Sequence, residues 1–212
     1  MDTGDPMVHV SRHPLVRTKL TRLRDERTPP KKFSELVREL TTLLAYEATQ
    51  DLDLEPTVVK TPMSMAPGCS LKDRIGLVPI LRAGLGMVEP MRELMPQATV
   101  YHIGIYRNEE THKPVEYYNK LPELEQDEIL LILDPMLATG GSAVDTCDML
   151  KRRGAKRIKF IGLIAAPEGV ANLRKNHPDV PIHLGAIDEC LNEHKYIIPG
   201  LGDAGRRQYG TG

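Results

Sequence analysis

The sequence predicts an α/β fold, a central and mostly parallel sheet flanked by helices, with a lid segment and a glycine-rich C-terminal segment added to it. Three observations carry that prediction. The runs at 75–81, 129–133 and 160–165 are apolar throughout, as strands buried on both faces are. From about residue 75 such runs alternate with stretches of helical periodicity, the order of βαβ units. The run at 129–133 also leads into a glycine-rich turn that opens a helix, the place where open parallel sheets bind ligands.

The elements follow in order, within one domain spanning 1–212. Residues 1–56 read as packing helices. Leu15, Val16, Leu20 and Leu23 recur at helical spacing, and Pro29-Pro30 is expected to break the chain. Ser34 is then placed as the N-cap of a helix presenting Leu36, Val37, Leu40, Leu43 and Leu44 on one face. A strand at 75–81 ends in Arg82-Ala83-Gly84, a helix disturbed by Pro90 covers 86–95, and 99–106 is a β-rich strand. The strand at 129–133 precedes a helix over 142–153 closed by Gly154. A strand at 160–165, a short helix at 169–176 and a strand at 182–187 complete the alternation. Two segments stand outside it. Residues 107–124 are polar and long for a connection, which predicts a mobile lid. The stretch 197–212 has little periodicity and many glycines, as suits a tail wrapped close to a ligand or a partner.

Charge and composition exclude several classes of function. With 28 basic against 29 acidic residues, the formal charge of −1 gives no field for gripping a nucleic-acid backbone. The apolar runs are too short to span a bilayer, and the first ten residues have no apolar core of a signal peptide, so a cytoplasmic protein is expected. Cys69, Cys147 and Cys190 are widely spaced without a C-x-x-C pair, which argues against a disulfide framework or a structural zinc site. The seven histidines have no metal-ligand spacing, and there is no Gly-x-Ser-x-Gly elbow.

The chemistry concentrates in 130–142. A buried strand delivers Asp134 to the carboxyl edge of the sheet, and Pro135, Met136, Leu137 and Ala138 lead to Thr139-Gly140-Gly141-Ser142 at a helix start. Glycines let successive N–H groups converge, the helix terminus adds partial positive charge, and Thr139 and Ser142 supply hydroxyls. That is a phosphate cradle. No lysine follows the glycines, so it is not a Walker loop, and the Gly84–Gly86 region lacks the third glycine of a dinucleotide fingerprint. An acid beside a monophosphate cradle suits a ribose 5-phosphate.

This segment resembles the phosphoribosyl-diphosphate (PRPP) motif of the type I phosphoribosyltransferases. Proline rather than a second acid follows Asp134, a departure that resembles the uracil phosphoribosyltransferase family. Ile80-Leu81-Arg82-Ala83-Gly84, Tyr117-Tyr118-Asn119-Lys120-Leu121-Pro122 and the segment 196–205, which contains Gly200-Leu201-Gly202-Asp203-Ala204-Gly205, agree with that family in order along the chain. The resemblance implies transfer of a 5-phosphoribosyl group from PRPP to N1 of uracil, giving UMP and pyrophosphate. It implies Mg2+ held mainly by PRPP, a homo-oligomer (dimer or tetramer), and GTP activation in some members. Arg82, Arg107, Asp134 through Ser142 and Asp203 would bind PRPP, with Asp203 reaching Mg2+ through water. Ile197, Gly202, Asp203 and Ala204 would bind uracil. Asp134, Arg107 and Asp203 would be the catalytic set, with carboxylate charge beside an oxocarbenium-like ribose and guanidinium charge on the leaving pyrophosphate. Lid closure over 107–124 would exclude water. Three other readings compete: an RNA-binding regulator on the same fold, a purine transferase and an inactive homologue. The charge balance opposes the first, the Gly202–Ala204 signature the second, and the complete motif the third.

Overall fold

The computed structural model describes residues 4–107, 114–119 and 128–211, with 103–107 and 114–119 described by backbone alone. The main sheet has seven strands, and every ladder in it is parallel. At its centre lie β4 (Arg74–Pro79), β8 (Glu128–Leu133) and β10 (Arg157–Ala165), flanked by β11 (Ile182–Ile187) and β1 (Val8–Val10) on one side and by β5 (Thr99–Val100) on the other. Side chains alternate along β8: Ile129, Leu131 and Leu133 enter one core, Leu130 and Ile132 the other. This two-sided burial is why the central runs read as unbroken apolar sequence.

Helix α1 (Pro14–Arg24), α2 (Pro30–Ala48) and α3 (Val88–Leu94) cover the first face, where Leu23, Phe33, Leu36, Leu40 and Leu44 are fully buried. Helices α4 (Gly141–Arg152) and α5 (Pro167–Asn176) cover the second through Ala143, Cys147, Leu150 and Leu173. Burial pushes the Cys147 thiol up to about 12, so it is an inert core group.

Several expectations need correction. The helical run breaks ahead of Pro29-Pro30, as expected, with α1 ending at Arg24, but the proline pair is not left in the connection. It starts α2, with Pro29 as N-cap and a proline in the first turn, where the missing N–H is no loss. Ser34 lies inside that helix, and its hydroxyl donates to the Gln208 carbonyl at 3.0 Å. The helices end at Ala48, and the chain then forms a hairpin of β2 (Leu54–Lys60) and β3 (Met65–Leu71). The helix expected over 86–95 begins as a 3-10 turn at Ala83–Met87 before α3 takes over. The strand expected over 99–106 is two strands: β5 joins the sheet, whereas β6 (Ile103–Arg107) pairs antiparallel with β7 (Pro114–Asn119). The C-terminal stretch is not without regular structure. A small hairpin joins β12 (Cys190–Leu191) to β13 (Ile197–Ile198), and α6 (Ala204–Tyr209) follows. His177, the C-cap of α5, is buried.

Candidate active site

Three loops meet at the carboxyl edge of the central strands. The first leaves β8. Leu133 pairs with Ile161, the chain passes through Asp134-Pro135, and β9 (Met136–Leu137) then rejoins the ladder against Ile164 and Ala165. The Asp134 amide donates to the Ile161 carbonyl at 3.2 Å, and the Pro135 carbonyl accepts from Leu163 and Ile164 at 3.1 Å. Proline has no N–H to present, and here none is called for. Glycine faces Asp134 from β10: a Cβ at Gly162 would lie 3.0 Å from the Asp134 carbonyl oxygen.

Among the described residues the Asp134 carboxyl accepts one hydrogen bond, from the Met136 amide at 3.2 Å. Burial pushes it up to about 7, and that N–H offsets only part of the effect. This shift is the site's clearest electrostatic signature. A carboxylate forced to ionise in a poorly solvated place is stabilised by whatever cation forms next to it.

Residues 138–142 continue into α4, whose N-cap is Gly140 at φ +76°, a residue with no side chain to cap the first turn. The Gly141 amide donates to the Thr139 hydroxyl at 3.4 Å, and a helix start of this kind, with the hydroxyls of Thr139 and Ser142 beside it, can accept an anion. The loop is fixed from behind. Asn172 donates to the Thr139 carbonyl at 2.9 Å, and a Cβ at Gly140 would approach the Gly169 carbonyl oxygen to 2.7 Å. Close backbone packing and the positive φ both require glycine at 140.

The second loop carries Arg82, which is exposed just beyond β4. The Ile80 amide donates to the Leu133 carbonyl at 2.9 Å, and a Cβ at Gly84 would sit 2.3 Å from that same oxygen. The Arg82 turn is therefore pressed against the end of the strand that delivers Asp134.

The third element is the C-terminal segment. Ile197 and Ala204 are buried, Gly202 is exposed at φ +78°, and Asp203 caps α6 by accepting from the Arg206 amide at 2.9 Å. Gly205 approaches Ala83, and the Tyr209 hydroxyl donates to the Arg82 carbonyl at 3.4 Å. The Gly202–Ala204 turn is thus docked beside the Arg82 loop. Arg107 closes β6 opposite Pro114, but its side chain lies outside the described residues, as does most of 107–124.

Sequence reasoning missed the supports behind this site. Asp188 and Arg24 form a two-pronged pair at 2.5 and 2.7 Å and bind both backbone groups of Gly200. The only signal for them was the charge of two residues far apart in sequence.

A parallel sheet with a buried acid, a glycine-capped helix start and a glycine-rich turn at its carboxyl edge is the arrangement of a type I phosphoribosyltransferase. A hypoxanthine-guanine phosphoribosyltransferase structure from Bacillus anthracis matches the fold with a TM-score of 0.51 at 14% identity, covering 75% of this chain and 80% of its own. The family model described as uracil phosphoribosyltransferase matches residues 10–211, and the chain belongs to that family. A uracil phosphoribosyltransferase of Roseiflexus sp. (strain RS-1) is 62% identical over 97% of this chain and 99% of its own. One of Geobacillus sp. (strain WCH70) is 55% identical over 96% and 98%. The structure of the AQ2163 protein from Aquifex aeolicus superposes with a TM-score of 0.89 at 40% identity, covering 95% of this chain and 97% of that one.

Proposed function

We propose that this chain transfers the 5-phosphoribosyl group of PRPP to N1 of uracil, forming UMP and releasing pyrophosphate in pyrimidine salvage. The observation that carries the reading is the convergence of the Asp134 loop, the Arg82 turn and the Gly202–Ala204 turn at one sheet edge. Residues 138–142 cradle the 5-phosphate, with Pro135, Met136 and Leu137 shaping the loop that presents it. Asp134 faces the ribose hydroxyls, where its negative charge stabilises an oxocarbenium-like ribose. Arg82 and Arg107 take the pyrophosphate in fork geometry. Ile197, Gly202, Asp203 and Ala204 receive uracil through backbone donors and acceptors. Such an edge rejects cytosine, whose exocyclic amino group would meet a donor and leave it unpaired.

Mg2+ fits the donors present. Asp134 and Asp203 offer hard oxygen ligands, and among the described residues no three His, Cys, Asp or Glu side chains gather into a cage. Asp203, whose side chain is 41% exposed, would hold the ion through water while the substrate phosphates supply most ligands. When bound, Mg2+ supplies positive charge against the pyrophosphate. Residues 107–124 close over the site as a lid, a reading supported by the β6–β7 pairing, which sets Arg107 at the start of that segment opposite Pro114.

The protein acts in the cytoplasm as a homo-oligomer, a reading supported by the apolar face of the exposed β2–β3 hairpin. No described helix is long and apolar enough to cross a membrane.

Labelled uracil with PRPP and Mg2+ tests the whole reading. Labelled UMP is expected, falling at least about a hundredfold in Asp134→Asn, with no product from cytosine. An active Asp134→Asn variant would overturn the role of the carboxylate. Added GTP reads activation in the same assay, and partial deletion of 107–124 is expected to raise PRPP hydrolysis relative to transfer.

A further inference from the structure

The base-binding turn has almost no regular secondary structure of its own on its N-terminal side. Residues 199–203 run between β13, two residues long, and the start of α6. A site that recognises a small ring through backbone groups nevertheless needs that backbone fixed to a fraction of an ångström. What fixes it lies behind, on α1 and at the end of β11.

Asp188, directly after β11, has a side chain only 3% exposed. Its carboxylate accepts from Arg24 Nη2 at 2.5 Å and Nη1 at 2.7 Å, and it also accepts from the Gly200 amide at 2.8 Å. Arg24 Nη1 in turn donates to the Gly200 carbonyl at 2.7 Å. One ion pair thus holds both polar backbone groups of Gly200. A second guanidinium holds the next residue. Arg207 lies over the Phe33 ring at 4.6 Å, and its Nη1 donates to the Leu201 carbonyl at 2.8 Å and the Leu23 carbonyl at 2.9 Å. Its Nη2 donates to the Asp25 carbonyl at 2.6 Å. Both arginines tie the turn to the last turn of α1, whose terminal carbonyls need donors in any case. No lysine could do this: each guanidinium spans two or three acceptors lying in different directions, whereas an ammonium is a single point of charge.

We propose that Arg24, Asp188 and Arg207 are positioning residues that set uracil affinity by fixing the backbone of Gly200 and Leu201. The proposal rests on the reading of Gly202–Ala204 as the base-binding turn. It makes uracil recognition depend on α1, an element with no contact to either substrate in that reading. The cradle at 138–142 is held separately, by Asn172 and Gly169, and PRPP reaches the turn only through water and the ion at Asp203, so loss of the buttress should weaken uracil binding far more than PRPP binding.

The test measures KM for uracil and for PRPP, with kcat, in Arg24→Lys, Asp188→Asn and Arg207→Lys, beside Gly202→Ala as a control within the turn. The expected result is a KM for uracil raised about tenfold or more in all four, with KM for PRPP within about twofold and amide exchange accelerated at 200–202 but not in β8 or β10. Equal rises in both KM values, or unchanged exchange at 200–202, would make the network merely structural and overturn the proposal. A raised uracil KM in Gly202→Ala alone would do so too. A Gly202→Ala variant with normal uracil KM would instead remove the base-turn reading. Should the Asp188 change prevent folding, Arg207→Lys decides alone, because it leaves the Arg24–Asp188 pair intact.

Discussion

In the proposed reaction Asp134 is the carboxylate beside the ribose, and its behaviour with pH follows from its surroundings. Its carboxyl has an ordinary value near 3.8 in the unfolded chain and about 7 in the folded one, because burial disfavours the charged form. The native state therefore binds more protons than the unfolded state between those values, and stability from this group falls as pH rises through that window. Asp134→Asn removes the effect. The melting temperature of the variant should exceed that of the wild type at pH 8 and converge with it near pH 4. Activity moves the other way, since the carboxylate is the form that opposes a developing cation. In the wild type, kcat/KM for PRPP should rise across an acid limb near pH 7. A flat profile from pH 5.5 to 8, with equal melting temperatures at pH 8, would show that burial does not perturb this group. Gln208 is a second residue out of balance. Its side chain is buried against Gly86, and neither its oxygen nor its nitrogen has a partner among the described residues. A buried amide left so is a net cost to folding.

Among the elements, the outermost parallel pair carries an opposing titration. His9 on β1 and His183 on β11 face each other in register, with ring centroids 4.5 Å apart and planes inclined by 15°. Burial holds the His183 imidazole down to about 3, helped by the charges of His9 and Lys159 and opposed by Asp51. The unfolded chain binds a proton there near pH 6.5 and the native chain does not, so stability is lost as pH falls from about 6.5 toward 3. Asp134 gains stability over much of the same range, so the wild-type curve alone hides both. His183→Phe keeps the stacked ring and removes the titration, and its advantage in melting temperature over the wild type should grow between pH 7 and pH 4.5. An advantage that stays constant across that range would refute the assignment. This edge also shows what the sequence left unread. A three-residue strand at 8–10 gives no periodicity to find, and it forms because β11 supplies its ladder. The hairpin at 54–71 escaped for a related reason, since its prolines and glycine interrupt any alternation. The Asp134 loop was readable because strand, acid, glycines and helix are contiguous. The Arg24–Asp188 buttress was not, because its members lie 164 residues apart and meet only through the fold.

At the scale of the whole molecule, the feature that the isolated chain leaves unbalanced is that hairpin. Every residue of β2 and all but one of β3 are exposed. Residues directly opposite one another share a face of the ribbon. The register pairs Leu54 with Leu71, Pro56 with Cys69, Val58 with Pro67 and Lys60 with Met65, so one face is apolar except for Lys60. Its other face carries Glu55 with Ser70 and Thr57 with Gly68, joined only by Val59 and Ala66. A two-stranded ribbon is marginal in water without a surface to cover its apolar side. Leu54 is 59% exposed, Val58 63% and Met65 61%, which marks a surface built for contact rather than for solvent. A second copy of the chain laid against this face would bury it. Val58→Glu combined with Leu71→Glu places two charges on that face and should shift the sedimentation of the protein to the monomer, whereas Thr57→Glu, on the opposite face, should leave the assembly intact. The charged double variant keeps Asp134, Arg82 and the Gly202–Ala204 turn, so whether the monomer still makes UMP tells whether the site is complete in one chain. If the double variant sediments as the wild type does, the hairpin is not the interface.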